Sequence, residues 1–156
     1  MRQQITEGSP VPSFILPDQH GNQVNINNFL GKPMVIYFYP KDETAGCTKE
    51  ACSFRDAYEA FQNVGAEVIG ISSDSVASHK SFGQKLRLPF ILLSDEGGRV
   101  RKQFGVPSGW LGLFPGRVTY IIDRDGIVRY IFNSQLQIQK HINKALEVLE
   151  GLEKAF

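Results

Sequence analysis

The apolar positions of this chain change period along its length, and the changes mark out its elements. Met34-Val35-Ile36-Tyr37-Phe38-Tyr39 is an unbroken apolar and aromatic run stopped by Pro40, the pattern of a central strand covered on both faces. From Cys47 onward the spacing turns helical, with Ala51, Phe54, Tyr58 and Phe61 three and four residues apart on one face. Strand gives way to helix at Cys47. Glu67 to Ser72 reads as a second strand and Ser75 to Leu86 as the next helix, which makes a strand–helix–strand crossover. Before this unit, Phe14 to Val24 gives two short extended pieces joined by a polar turn, an early hairpin. After it come a short strand at Phe90 to Leu93, a short helix at Glu96 to Phe104 and a strand at Val118 to Ile122. Asp125-Gly126, a dipeptide suited to a tight turn, joins that strand to Ile127 to Phe132. Ile138, Ile142, Ala145, Leu146, Leu149 and Leu152 form the apolar stripe of a closing helix.

Alternating strands and helices followed by an antiparallel hairpin and a helix predict an α/β fold: a central mixed β-sheet flanked by helices, with an N-terminal β-hairpin extension. No repeat or long linker interrupts the pattern, and 156 residues suit a single domain over residues 1–156. With 17 basic against 16 acidic side chains, the formal charge of +1 predicts no nucleic-acid footprint. The 42% hydrophobic content argues against disorder. Met1 to Gly8 carry no apolar run of signal-peptide length, and no segment reaches the roughly 18 apolar residues of a membrane helix. A cytoplasmic protein is expected, and a processed organellar one would look the same.

The chemistry concentrates at Cys47. Cysteine reacts as the thiolate, and a helix N-terminus offers unpaired N–H groups and the positive end of the macrodipole to an anion. Cys47 stands in the opening turn of the predicted helix, Gly46 lets backbone approach closely, and Thr44 lies three residues upstream with a hydroxyl in reach of the sulfur. Pro40 ends the strand and would shield the site, and the stripe turns Cys47 toward the core, in a shallow pocket near the helix end. A free cysteine is more often an inert small hydrophobe. Placement at a strand-to-helix turn reverses that expectation here.

Cys52 follows five residues later, toward the side bearing Arg55, Asp56 and Glu59, and is expected to be the more solvent-facing thiol. On an ideal helix the two Cα atoms stand about 8.7 Å apart and about 140° around the axis. Disulfides do not form beyond about 7 Å, so any bond between them requires the first helical turns to unwind. Two thiolates do not complete a tetrahedral zinc shell, and His20, His79 and His141 show no ligand spacing, so no metal or other cofactor is expected.

The run Tyr37-Phe38-Tyr39-Pro40-Lys41-Asp42-Glu43-Thr44-Ala45-Gly46-Cys47-Thr48-Lys49-Glu50-Ala51-Cys52 resembles the active-site segment of peroxiredoxins of the bacterioferritin comigratory protein or Q-type subfamily, with the pattern Pro-x-x-x-Thr-x-x-Cys met at Pro40, Thr44 and Cys47. The likeness extends from Pro12-Ser13-Phe14 through Gly70-Ile71-Ser72 and Leu93-Ser94-Asp95-Glu96 to Gly116-Arg117-Val118-Thr119, and the order of elements is thioredoxin-like. The resemblance implies a peroxidatic Cys47, a resolving Cys52 that closes an intramolecular disulfide with it, and Arg117 as the distant arginine completing the site with Thr44 and Pro40. From its own position Arg117 would read as a solvated strand-end charge. Glu50 stands where relatives carry Glu or Gln, and equally reads as an ordinary acid near a helix start. Ala45 departs from a common proline, and some relatives lack a cysteine at the position of Cys52. The implied partners are hydroperoxides and thioredoxin or a similar dithiol, and the implied assembly is a monomer serving antioxidant defence.

Two rivals use the same scaffold. A general thiol–disulfide oxidoreductase typically carries Cys-x-x-Cys, whereas four residues separate the cysteines here. A copper-delivery module needs soft ligands, and Met1 and Met34 form no cluster with a cysteine or histidine. The sequence leaves the choice among hydroperoxides open. The apolar stretch Val106 to Pro115 reads equally as a wall of the substrate pocket or as a loop packed on the core.

Overall fold

An antiparallel hairpin opens the chain in the computed structural model, which describes residues 5–107 and 116–154. Its strands β1 (Ile15–Pro17) and β2 (Gln23–Asn25) pair with Ile15 opposite Asn25 and form a small sheet of their own. A 3-10 turn at Ile26–Phe29, absent from the expected elements, follows because the Asn25 side chain caps it by accepting from Asn27 N at 3.0 Å.

The main sheet is built around β3 (Met34–Phe38). After it come α1 (Ala45–Asp56), α2 (Tyr58–Asn63), β4 (Glu67–Ser72), α3 (Val76–Leu86), β5 (Ile91–Ser94), α4 (Arg99–Phe104), β6 (Val118–Ile122), β7 (Val128–Asn133) and α5 (Ile138–Lys154). The strand order is β5-β4-β3-β6-β7, with β3, β4 and β5 parallel, β6 antiparallel to β3 and β7 antiparallel to β6. The sheet is therefore of mixed direction, as the order of elements predicts.

Alternation along β3 explains its unbroken apolar run. Met34, Ile36 and Phe38 enter a cluster with Phe14, Leu16, Val100 and Phe104, on the face covered by the hairpin and α4. Val35 and Tyr37 enter a second cluster with Phe54, Phe61, Phe82, Ile142 and Leu149, on the face covered by α1, α2, α3 and α5. With both faces dry, neither parity of the strand tolerates a polar residue. On the second face Tyr37 stacks on Phe54, centroids 4.5 Å apart, which anchors the middle of α1 to the sheet.

Two boundaries differ from the expected ones. The first helix begins at Ala45, two residues before Cys47, and it breaks at Ala57 instead of running on to Phe61. Ala57 N donates to the carbonyls of both Arg55 and Ser53, and the axis is reset so that Phe61 still packs on the sheet. By contrast α3 keeps its expected start, since Ser75 Oγ accepts from Ser78 N at 3.1 Å as a side-chain cap.

Candidate active site

The sheet register decides what meets Cys47. Phe38 at the end of β3 pairs with Val118 at the start of the antiparallel β6, so the exit of β3 toward α1 and the entry to β6 share one edge of the sheet. Arg117, just before β6, thereby reaches Cys47, seventy residues earlier in the chain. Asn133 pairs with Val118 as well, which brings the β7–α5 connection and the first turns of α5 to that same edge. In sheets of this kind the crevice beyond the carboxyl ends of the parallel strands is where sites are built.

Cys47 is the third residue of α1 and 1% exposed. Its sulfur lies 3.4 Å from Arg117 Nη2, while Arg117 Nη1 donates to Glu50 Oε1 at 2.6 Å. Arg117 is therefore a buried cation against the sulfur and not the solvated charge that its sequence position alone would indicate. Burial alone would pull the guanidinium down, but Glu50 and Cys47 outweigh it and hold Arg117 above its ordinary value. The first turn of α1 holds no acidic side chain, so its positive end is left to the sulfur.

Glu50 is fully buried, one helical turn beyond Cys47 on the same face. Burial pushes its carboxyl up to about 7, against the opposing pull of the Arg117 charge and hydrogen bond. His141 from α5 closes the far side, with Nδ1 3.7 Å from Glu50 Oε2. His141 Nε2 faces the Ser134 carbonyl at 2.8 Å and Nδ1 faces the Thr119 hydroxyl at 2.7 Å. Neither Glu50 as the arginine's partner nor His141 was singled out by sequence; helical spacing from Cys47 to Glu50 was the one available signal, and nothing in the sequence ties in position 141.

Thr44 is the N-cap residue of α1, but its hydroxyl does not reach the sulfur or cap the helix. Oγ1 donates to the Lys41 carbonyl at 2.9 Å, and the residue is exposed. Pro40 is half-buried where β3 exits. Cys52 is half-buried in the same helix, both cysteines are free, and the helical path between them keeps them beyond bonding distance.

Two glycines let Arg117 lie where it does. A Cβ on Gly46 would stand 3.0 Å from Arg117 Nη2, so the guanidinium needs the bare backbone beneath it. On Gly116 a Cβ would run into the Pro107 carbonyl oxygen. Gly116→Ala is expected to displace the neighbouring Arg117, destabilising the protein by about 1–3 kcal/mol and slowing reaction at Cys47 by about tenfold to a hundredfold. Urea titration and the rate of Cys47 alkylation check the two parts.

A second buried network holds the loop before Cys47. Asp42 accepts from Tyr39 Oη at 2.6 Å and Ser78 Oγ at 2.9 Å and lies 2.7 Å from His79 Nδ1, while His79 Nε2 faces the Leu93 carbonyl at 3.0 Å. Asp74 Oδ2 accepts from Asp42 N and from Ser72 Oγ. Among the described residues Asp42, Asp74 and His79 are the one grouping with metal-ligand spacing, a spacing invisible in sequence, and their ligand atoms are engaged with one another and with these donors. Of the apolar stretch after α4, Val106 packs into the core beside Phe104, and Ser108 to Pro115 lie outside the described residues.

Comparison with known proteins bears on this geometry. The model of the AhpC/TSA family matches residues 8–131. The chain is 56% identical over 148 residues to the chloroplastic peroxiredoxin Q of Triticum aestivum, covering 95% of this chain and 68% of that protein. Among solved structures it is similar to peroxidoxin BcpB of Mycobacterium tuberculosis, with 39% identity, a TM-score of 0.88 and coverage of 96% and 99% of the two chains. It is also similar to the bacterioferritin comigratory protein of Xanthomonas campestris, described for its alkyl peroxide reduction activity, at 30% identity, a TM-score of 0.83 and coverage of 90% and 92%.

Proposed function

We infer the division of labour in the site from one premise: this chain belongs to the AhpC/TSA family and is a peroxiredoxin of the Q type, a thiol peroxidase of thioredoxin-like fold with two cysteines. The observation that carries the reading is the sulfur of Cys47, buried in the opening turn of α1 and 3.4 Å from Arg117 Nη2.

Cys47 thiolate attacks the terminal oxygen of a hydroperoxide. The S–O bond forms as the O–O bond breaks, and the departing oxygen takes a proton and leaves as water or an alcohol. Arg117 and the N–H groups of the first turn stabilise the charge that moves onto that oxygen. Thr44 has already spent its proton on the Lys41 carbonyl, so its oxygen is an acceptor for the O–H of the incoming peroxide. Pro40 shields the sulfur from bulk water.

The sulfenic acid on Cys47 then condenses with the Cys52 thiol, releasing water and forming a disulfide, and a thioredoxin-type dithiol restores both thiols by exchange. That bond demands an unwound first turn, and the turn is weakly held: it has no side-chain cap and contains Gly46, a poor helix former. Phe54, stacked on Tyr37, keeps the rest of α1 in place. Residues 1–156 act as one unit, a monomer is sufficient for this cycle, and the chloroplastic relatives support an organellar setting as an alternative to the cytoplasmic one.

Peroxide consumption coupled to thioredoxin tests the reading. Cys52→Ser is expected to keep the first turnover and lose thioredoxin-driven recycling, with a sulfenic acid on Cys47 in place of the disulfide by mass spectrometry. An intramolecular disulfide in the wild type with α1 still fully helical would refute the unwinding step.

A further inference from the structure

The buried end of the sheet holds two acids and one strong base, and the hydrogen-bond inventory shows a mismatch. Arg117 divides its two terminal nitrogens between Glu50 Oε1 and Cys47 Sγ, and among the described residues its Nε has no partner. Glu50 Oε2, equally buried, has no donor among them. His141 Nδ1 stands 3.7 Å from it, and that nitrogen has no proton to offer. The Ser134 carbonyl can only accept, so His141 Nε2 carries the ring proton, and Nδ1 is the acceptor for the Thr119 hydroxyl. A second ring proton is disfavoured, since burial, with the nearby Arg117 charge acting in the same direction, pulls His141 down to about 4.

The remaining groups around Glu50 supply no charge to balance it. Tyr37 faces it from β3, and burial first, then the charges of Glu50 and Cys47, hold that hydroxyl far above its ordinary value and neutral. Cys47 faces it from α1, Arg117 from the start of β6 and His141 from α5. With Cys47 and Glu50 both ionised, two buried anions would share one guanidinium, and Glu50 Oε2 and Arg117 Nε would stay unmatched among the described residues.

We propose that Glu50 is a positioning residue that holds the site's one excess proton in the reactive state, as a neutral acid beside the Cys47 thiolate, so that the charge of Arg117 serves the sulfur alone. The step is an internal transfer: the thiol S–H bond breaks, its proton passes to the Glu50 carboxylate, and the electron pair stays on sulfur, with no change in the net charge of the site. The high proton affinity that burial gives Glu50 agrees with this placement. The proposal rests on Cys47 being the nucleophile and says where its proton goes.

The test needs no variant for its first arm. In the reduced protein at neutral pH, infrared difference spectroscopy should show the carbonyl stretch of a protonated carboxylic acid, and capping Cys47 with neutral iodoacetamide should abolish it, because the competing anion is gone and Glu50 then pairs with Arg117 as a carboxylate. Glu50→Gln assigns the band by losing it. In a Cys52→Ser background, the rate of Cys47 alkylation against pH should rise in two steps, as expected for coupled groups. Glu50→Gln should leave one step, and Glu50→Asp should restore the second. A spectrum without that band, a band indifferent to capping, or a single step in the Glu50 protein merely displaced in the Gln variant would each overturn the proposal. Failure of the underlying reading is separate: it would appear as a wild type that consumes no peroxide at any pH, whatever the infrared spectrum.

Discussion

Replacing Cys47 with serine is expected to reduce peroxide consumption by at least about three orders of magnitude, to the background rate, while leaving the fold in place. The reason lies in what the site can ionise. A helix N-terminus contributes roughly 0.3–1 kcal/mol to an exposed anion and up to about 2 kcal/mol to a partly buried one, and a neighbouring arginine favours the anion as well. Such contributions favour the anion of a thiol, a group with an ordinary value of about 8.5, and fall far short for a serine hydroxyl. The structural cost is small, about 1 kcal/mol, because the serine oxygen accepts from Arg117 Nη2 where the sulfur did. A urea midpoint close to wild type with no peroxide turnover is the expected pair of results. Turnover surviving in this variant would remove the nucleophile from the proposed cycle.

The elements were legible in sequence wherever local chemistry sets them. The run from Met34 to Tyr39 could only be a strand with both faces covered, Ser75 marks the start of α3 by its own hydroxyl, and Asp125-Gly126 turns β6 into β7. The break at Ala57 was not legible, because Tyr58 and Phe61 continue the helical stripe across it and both still pack on the sheet side. The same distinction governs the site. Gly46 and Cys47 announce themselves at a strand-to-helix switch, whereas Arg117, Glu50 and His141 meet only because β6 runs antiparallel to β3 and α5 returns across both. Thr44 stands in the loop where the sequence places it, but its hydroxyl turns to the carbonyl of Lys41 and not to the sulfur, a direction no side-chain pattern encodes.

That loop joins stability to reactivity. Asp42, held from three sides by Tyr39, Ser78 and His79, fixes the start of the connection from β3 to α1. Phe54 fixes the middle of α1, and between these anchors lies an uncapped turn containing Gly46 and Cys47. Local opening draws on segments with few buried contacts. In this helix the segment that the proposed disulfide would require to open is bounded on both sides by buried groups that need not move.

Removing Arg117 is the change expected to damage both activity and stability, and pH separates the two. Arg117→Met takes the cation from the sulfur and from the charge that develops on the departing oxygen, so a loss of about a hundred- to a thousandfold in peroxide turnover is expected. It also leaves Glu50 buried without its partner, the kind of deletion that costs about 3–5 kcal/mol when the orphaned group stays charged. Glu50 can avoid that cost by taking a proton, and with the arginine's opposing pull gone its affinity for one rises beyond the present value of about 7. In the folded variant it therefore binds a proton over a range where the unfolded chain, with an ordinary carboxyl at 4.5, does not. Because the folded state then binds more protons than the unfolded one, stability falls as pH rises above that ordinary value. The variant is expected to be least impaired in mild acid and most impaired in mild alkali by urea titration, and adding Glu50→Gln should remove that extra pH dependence while leaving turnover low. A loss of stability equal at all pH values would show that Arg117 acts on the fold by packing alone, and not through the charge of Glu50.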